Sequence, residues 1–244
     1  MQEKTTLIST SQFHKDVYTG LTDFPKHLSS KYFYDAKGDK LFQEIMDMPE
    51  YYLTNSEYKI LDEFKDEICR VFFKDAQEFD LVELGAGDGK KTKILLRHLS
   101  SEGIPFQYIP IDISENALNE LESSINNELP SVTVKSLQGT YFETLEQLCK
   151  MQNRKKVIMF LGSNIGNLLH PQAVEFLKNI QELMNKDDIF FIGFDQKKDP
   201  QTILNAYNDS AGITERFNKN LLARINSELD ADFDLDKFMH WEVY

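Results

Sequence analysis

The run FDLVELGAGDGKKT at 79–92 constrains the chain more than any other stretch. An apolar strand pattern there ends in an acid, Glu83, and glycines at 85, 87 and 89 alternate before helical spacing takes over across 90–99. Glycine accepts positive φ and leaves the main chain open to close approach by a ligand. A helix that begins directly after such a turn aims its positive N-terminal end at whatever sits there. The expectation is a strand, a glycine turn and a helix that hold a nucleotide-like ligand at Gly85 and Gly87.

Residue 90 narrows the ligand. A triphosphate-binding loop needs a second glycine after four intervening residues, followed by Lys-Ser/Thr, but counting from Gly85 puts Lys90 where that glycine should stand. The dinucleotide fingerprint GxGxxG asks for glycine at 90 as well, to let the helix pack closely on the strand. A GxGxG turn with Glu83 just ahead of it remains. This suits S-adenosylmethionine, which carries an adenosine and an amino acid but no phosphate. The next strand pattern, YIPID at 108–112, ends in Asp112. A carboxylate there accepts both hydroxyls of a ribose, which nicotinamide dinucleotides and S-adenosylmethionine require alike; the competing role is a helix cap beside Ser114. Lys90, and the lack of a placed His or Lys pair for hydride chemistry, weigh against the nicotinamide reading.

The periodicity changes near residue 75. Upstream, Leu41, Phe42 and Ile45, then Ile60, Leu61, Phe64 and Ile68, recur at helical steps. Downstream, strand patterns at 81–84, 108–112, 132–137, 157–161 and 189–194 alternate with amphipathic helices such as the one striped by Ala117, Leu121, Ile125 and Leu129. This alternation predicts an α/β fold with a parallel sheet covered on both faces and ligands at the carboxyl ends of its strands. The loops at 85–89, 112–114, 138–142, 162–167 and 195–199 would all emerge at that edge. The expected division is a helical lobe over 1–75, a core over 76–199 and a further helical segment over 200–244.

Composition removes other classes. With 27 basic and 40 acidic residues among 244, the formal charge of −13 repels a phosphate backbone or an anionic membrane surface. Nucleic acid and membrane are therefore not expected partners. The opening MQEKTTLISTSQFHKD has no signal-like apolar core, and no window approaches the roughly 18 apolar residues of a membrane span. A cytoplasmic monomer acting on a small molecule is expected. Cys69 and Cys149 stand alone, and the histidines at 14, 27, 98, 170 and 240 fall at no metal-ligand spacing, so neither a disulfide framework nor a metal site is expected.

The segments KYFYDAKGDKLFQEIMDMPEYYLTNSE (31–57), VELGAGDGKKT (82–92), FLGSNIGNL (160–168) and DPQTILNAYNDSAGITERFNKNLLARINSELDADFDLD (199–236) resemble the histidine-specific Nα-methyltransferases of ergothioneine biosynthesis. The similarity is spread over nearly the whole chain. It implies a Rossmann-like, S-adenosylmethionine-dependent methyltransferase sheet with an N-terminal helical lobe, and transfer of methyl groups to the α-amino group of L-histidine to give hercynine. Related proteins methylate other small amines, and a non-catalytic S-adenosylmethionine-binding protein is a further reading.

The resemblance assigns residues. On the cofactor side, Gly85 matches the family's turn glycine, Lys91 the lysine that holds the methionine carboxylate, and Asp112 the ribose acid. The adenine-binding pair after Gly139 reads Thr140-Tyr141 here, where many members have Asp-Phe. On the substrate side, Tyr34 and Tyr51 match two pocket tyrosines, Gly162 and Asn167 the substrate-facing loop, and Tyr207 a tyrosine that joins the asparagine on the substrate carboxylate. Thr214 is placed near the amine. Tyr34 is the expected catalytic residue, orienting or deprotonating the amine. Plainer roles compete: packing for Tyr34 and Tyr51 beside Phe33 and Tyr52, and a helix cap for Asn167. Family members continue past the equivalent of Tyr244 with strands that recognise the imidazole. FMHWEVY at 238–244 resembles the start of one, so truncated C-terminal strands and an exposed sheet edge are expected.

Overall fold

A computed structural model describes residues 11–74, 78–151 and 154–243. Residues 1–10, part of the stretch read for a leader, and Tyr244 lie outside them. In chain order the elements are α1 (Gln12–Thr22), α2 (Ala36–Met46), α3 (Tyr52–Phe73), β1 (Phe79–Leu84), α4 (Thr92–Ser101), β2 (Phe106–Asp112) and α5 (Glu115–Glu128). There follow β3 (Thr133–Val134), β4 (Leu137–Gln138), α6 (Tyr141–Met151), β5 (Lys155–Phe160), α7 (His170–Leu183), β6 (Ile189–Ile192), α8 (Pro200–Tyr207) and α9 (Ile213–Leu229). The described residues divide into two compact units, one of residues 11–45 and 208–243, the other within residues 46–207. The helices upstream of residue 75 are therefore shared out, with α1 and most of α2 in the first unit and α3 in the second.

The larger unit is built on a parallel sheet in the order β3-β2-β1-β5-β6, with β4 also pairing with β2. The chain leaves central β1 toward β2 and β3, then returns to β5 and β6 on the other side. That reversal is the topological switch, and it opens at the carboxyl ends of β1 and β5. Strand alternation sorts the core. Phe79 and Leu81 of β1 pack with Tyr108, Leu95, Leu99, Leu121, Leu61 and Phe72 on one face, while Val82 and Leu84 pack with Ile109, Ile111, Leu145, Leu148, Phe160 and Phe176 on the other. Glu83 follows the first face. At the opposite end of the sheet, buried Lys156 and Asp188 form an ion pair at 3.1 Å, and the Lys156 N–H donates to the same carboxylate at 2.6 Å.

The strand expected over 132–137 is broken into β3 and β4. At the break the Lys135 N–H donates to the Tyr108 carbonyl, and the Ser136 hydroxyl to Glu122, so neighbouring groups take over what an uninterrupted ladder would supply. Helix α3 bends at Phe64, whose backbone (φ −107°, ψ 15°) departs from helical values. Cys69 lies in the core, where burial pushes its thiol up to about 12, and half-buried Cys149 donates to the Leu183 carbonyl; both act as packing residues. No described helix is long and apolar enough to cross a membrane.

The smaller unit packs α1 on α9 through Phe13, Val17, Leu221 and Ile225. Asp35 binds it together: one carboxylate oxygen accepts the Gly38 N–H at the start of α2 and the Asn220 side-chain amide from α9. Residues 238–243 carry no strand, so the beginning of one expected from FMHWEVY is absent among the described residues.

Candidate active site

The glycine turn after β1 has the expected backbone. Gly85, Gly87 and Gly89 have φ of 73°, 53° and 64°, a region that L side chains enter only at a cost. A Cβ on Gly85 would stand 2.6 Å from the Tyr141 hydroxyl oxygen, so this glycine lets the tyrosine of the next loop reach the turn. Above Gly87 a Cβ would meet no protein atom, which leaves that peptide open to a ligand. Helix α4 begins at Thr92, two residues later than the spacing suggests.

Beneath the turn, Glu83 faces the protein. The Thr92 hydroxyl donates to one carboxylate oxygen at 2.6 Å and the Tyr108 hydroxyl to the other. Burial pushes its pKa up to about 7 against these two hydrogen bonds. The sequence pattern sets Glu83 against the cofactor; in the fold both of its oxygens are spent on holding β1, β2 and α4 together under the glycines.

Asp112, at the end of β2, accepts the Ser114 N–H at 3.0 Å and the Gly87 N–H at 3.5 Å. Burial raises its pKa, and these backbone donors pull against the rise. The cap of α5 is the Ser114 hydroxyl, which accepts from Ala117 N, so Asp112 is not the helix cap. The Thr140 hydroxyl donates to Glu143 in the first turn of α6. The Tyr141 ring stands edge-on to Phe160 and Phe176.

Lys91 forms an ion pair with Glu57 of α3, and both side chains are largely buried, at 17% and 15% exposure. Glu57 in turn accepts the Gly162 N–H on both oxygens at 2.9 Å. Gly162 has φ 73°, and a Cβ there would lie 3.6 Å from both the Lys91 ammonium nitrogen and the Asn164 amide nitrogen. Asn164 also lies 3.5 Å from the Cβ position of Gly85. Four segments thus meet at the switch point: α3, the turn after β1, the loop after β5, and Gly193 after β6, whose Cβ would overlap Glu57.

Asn167 ends the short 3-10 turn Asn164–Asn167 and is exposed. It does not cap α7, where the Leu169 N–H is served by Gln172. Tyr51 precedes α3 and is buried; its ring meets that of Tyr207 edge-on at 5.9 Å. Burial pushes the Tyr207 phenol up, and the nearby Asp195 charge adds to it. Asp195 also accepts from Tyr52 at 2.5 Å and pairs with Lys198, while its N–H donates to Ser163 at 2.9 Å. That network ties Tyr52 to the loop after β5.

Tyr34 and Thr214 belong to the smaller unit. The Tyr34 ring is edge-on to Phe42 at 5.5 Å and Phe217 at 5.8 Å. Thr214 is buried in the first turn of α9, where its N–H and that of Ile213 donate to Asp209. The larger unit therefore brings together Gly85, Gly87, Lys91, Asp112, Tyr141 and Gly162, and pairs Tyr51 with Tyr207. Sequence reasoning names none of Glu57, Asn164, Asp195 and Lys198 singly; the hints are their place in or beside the blocks of family resemblance and, for the last three, in the loops at 162–167 and 195–199.

These residues fit S-adenosylmethionine. Its ribose asks for an acid at the end of β2, its amino-acid end for paired charges, and its lack of phosphate for a turn without a Walker lysine. Asp112, the Lys91–Glu57 pair and the open Gly87 peptide meet those needs.

Comparison with known proteins agrees. Residues 13–244 match the family model described as histidine-specific methyltransferase, SAM-dependent. The chain is 38% identical over 226 residues to the histidine N-alpha-methyltransferase of Mycolicibacterium smegmatis and 37% identical over 226 residues to that of Mycobacterium tuberculosis, covering 93% of this chain and 68% of each relative. It is 32% identical over 225 residues to ergothioneine biosynthesis protein 1 of Schizosaccharomyces pombe, covering 89% of this chain and 29% of that protein. With the glycine turn, the acid at the end of β2 and the switch point in place on a Rossmann-like sheet, the chain belongs to the histidine-specific, S-adenosylmethionine-dependent methyltransferase family and is a methyltransferase that uses S-adenosylmethionine.

Proposed function

We propose that this methyltransferase acts on the α-amino group of free L-histidine and carries the transfer through to the trimethylated product, hercynine. The observation that carries the reading is the Tyr51–Tyr207 ring pair, beside which Tyr52 donates to Asp195, whose N–H donates to Ser163 in the loop that follows β5. It gives the larger unit an aromatic, hydroxyl-bearing wall suited to a small zwitterion. Relatives named for histidine methylation support the same substrate.

When bound, S-adenosylmethionine supplies a methyl group made electrophilic by its sulfonium. Gly85, Gly87, Lys91 and Asp112 would hold it, with Thr140 and Tyr141 on the adenine side and Glu83 keeping the turn in shape. The protein's task is then to strip water from a neutral amine and align it for in-line attack. Such positioning contributes up to about 7 to 11 kcal/mol in well-oriented cases. Tyr34 is assigned by the family resemblance to orient or deprotonate the amine, and Thr214 to lie near it. Asn167 and Tyr207 hold the substrate carboxylate, and the faces of Tyr51 and Tyr207 accommodate the growing positive charge.

The test is mass spectrometry after incubation with S-adenosylmethionine and a panel of free amino acids. Three successive methyl-for-hydrogen increments on histidine alone are expected. Product on a different amine would overturn the substrate and leave the cofactor site standing. Cofactor binding with no product on any amino acid would overturn the reaction proposed.

A further inference from the structure

In the reading above Lys91 takes a ligand group, while its partner Glu57 is given no atom of its own. The geometry points to Glu57 as the acceptor for the ammonium of the cofactor's amino-acid end, with Lys91 taking the carboxylate, so that the two side chains read a zwitterion. This rests on the S-adenosylmethionine site already described.

Glu57 is held in place by its surroundings. Both oxygens accept the Gly162 N–H at 2.9 Å, one also receives Lys91, and Gly193 has no Cβ to displace the other. A carboxylate offers about four lone-pair sites, so this one keeps acceptor capacity at a side chain that is 15% exposed. Gly85, Gly162 and Asn164 surround the same spot, and none of them brings a second positive charge.

Electrostatics favour a ligand role. A carboxylate beside the lysine opposes any ligand that offers only an anionic tail, because the approaching charge meets Glu57 as well as Lys91. A tail that carries both a carboxylate and an ammonium meets alternating charges and is attracted at both ends. The pair is therefore a filter for the complete amino-acid group, built from a lysine and a carboxylate that lie in direct contact.

The test compares S-adenosylhomocysteine with its desamino analogue, which keeps the carboxylate and lacks the ammonium, by calorimetric titration of the parent chain and of Glu57→Gln. Glutamine retains an acceptor for the Gly162 N–H, and circular dichroism checks the fold. The parent should prefer S-adenosylhomocysteine by about tenfold or more, the size expected of a hydrogen bond to a charged group, and the variant should bring the two ligands within about twofold of each other. Equal losses for both ligands in the variant would mark Glu57 as a support only and overturn the proposal. A parent chain without preference would overturn it too, even where the variant fails to fold. A parent chain that binds neither ligand would overturn the cofactor site itself, an outcome distinct from the other two.

Discussion

Tyr108 on β2 donates its hydroxyl to Glu83 on β1, while Thr92 at the start of α4 donates to the other oxygen of the same carboxylate. Three elements are thereby clamped directly under the glycine turn, in a place where burial lifts the carboxyl pKa from 4.5 to about 7. Between those two values the folded chain keeps a proton that the unfolded chain releases, so stability falls as pH rises through the window and levels off above it.

Glu83→Gln has no proton to lose, and its melting temperature should depend less on pH between 4.5 and about 7 than that of the parent. Glu83→Ala should cost about 2 to 4 kcal/mol, because it leaves the buried Tyr108 hydroxyl without its acceptor. Thermal melts across that pH range check both. A Gln variant with the parent's slope would mean that Glu83 is not the group responsible.

Two neighbouring glycines should respond differently to alanine. Gly85→Ala meets both the positive φ and the Tyr141 hydroxyl, so it should lose more stability than the roughly 1 to 2 kcal/mol of a left-handed residue, and adding Tyr141→Phe should restore part of the loss. Gly87→Ala touches no protein atom, so it should cost only the backbone term while weakening S-adenosylhomocysteine by about tenfold or more. Paired melts and ligand titrations separate the two effects. Unchanged affinity in Gly87→Ala would move the ligand away from that peptide.

Tyr34→Phe keeps the ring that packs on Phe42 and Phe217 and removes only the phenol oxygen. Its cofactor affinity should match the parent, while kcat falls by about a hundredfold or more, as expected when a proton-handling group is lost. An undiminished rate would remove Tyr34 from the chemistry.

Asn167→Ala and Tyr207→Phe should each raise the amino-acid KM with cofactor affinity preserved, the pattern of lost ground-state binding. Steady-state kinetics with a parallel titration of S-adenosylhomocysteine measure this. Loss of the cofactor in Asn167→Ala would show that the loop after β5 serves the other ligand.

What is legible in the sequence is local. A strand, three spaced glycines and a helix leave a mark within a dozen or so residues, and an acid at the end of the next strand is visible from the strand itself; hence Gly85, Gly87 and Asp112 stand out along the linear chain. Glu57 does not. On an amphipathic helix flanked by exposed Ser56, Tyr58 and Lys59 it reads as one more solvated charge, and its partners Lys91 and Gly162 meet it only through the tertiary fold. Adjacent Tyr51 and Tyr52 look alike in sequence, yet one pairs with Tyr207 and the other with Asp195 and Lys198. The strand pattern over 132–137 overruns the true strands because its β-branched residues say nothing of the break at Lys135 and Ser136.

Labour is divided along α3, which bends at Phe64. Leu61 just before the bend and Cys69 and Phe72 beyond it are sealed in the core, while Tyr52 and Glu57 of the first two turns face the switch point. A lineage can thus revise what the ligand end recognises without renegotiating the packing that keeps the helix attached. New specificity in such a chain is cheapest to evolve in the first two turns of α3, ahead of Leu61.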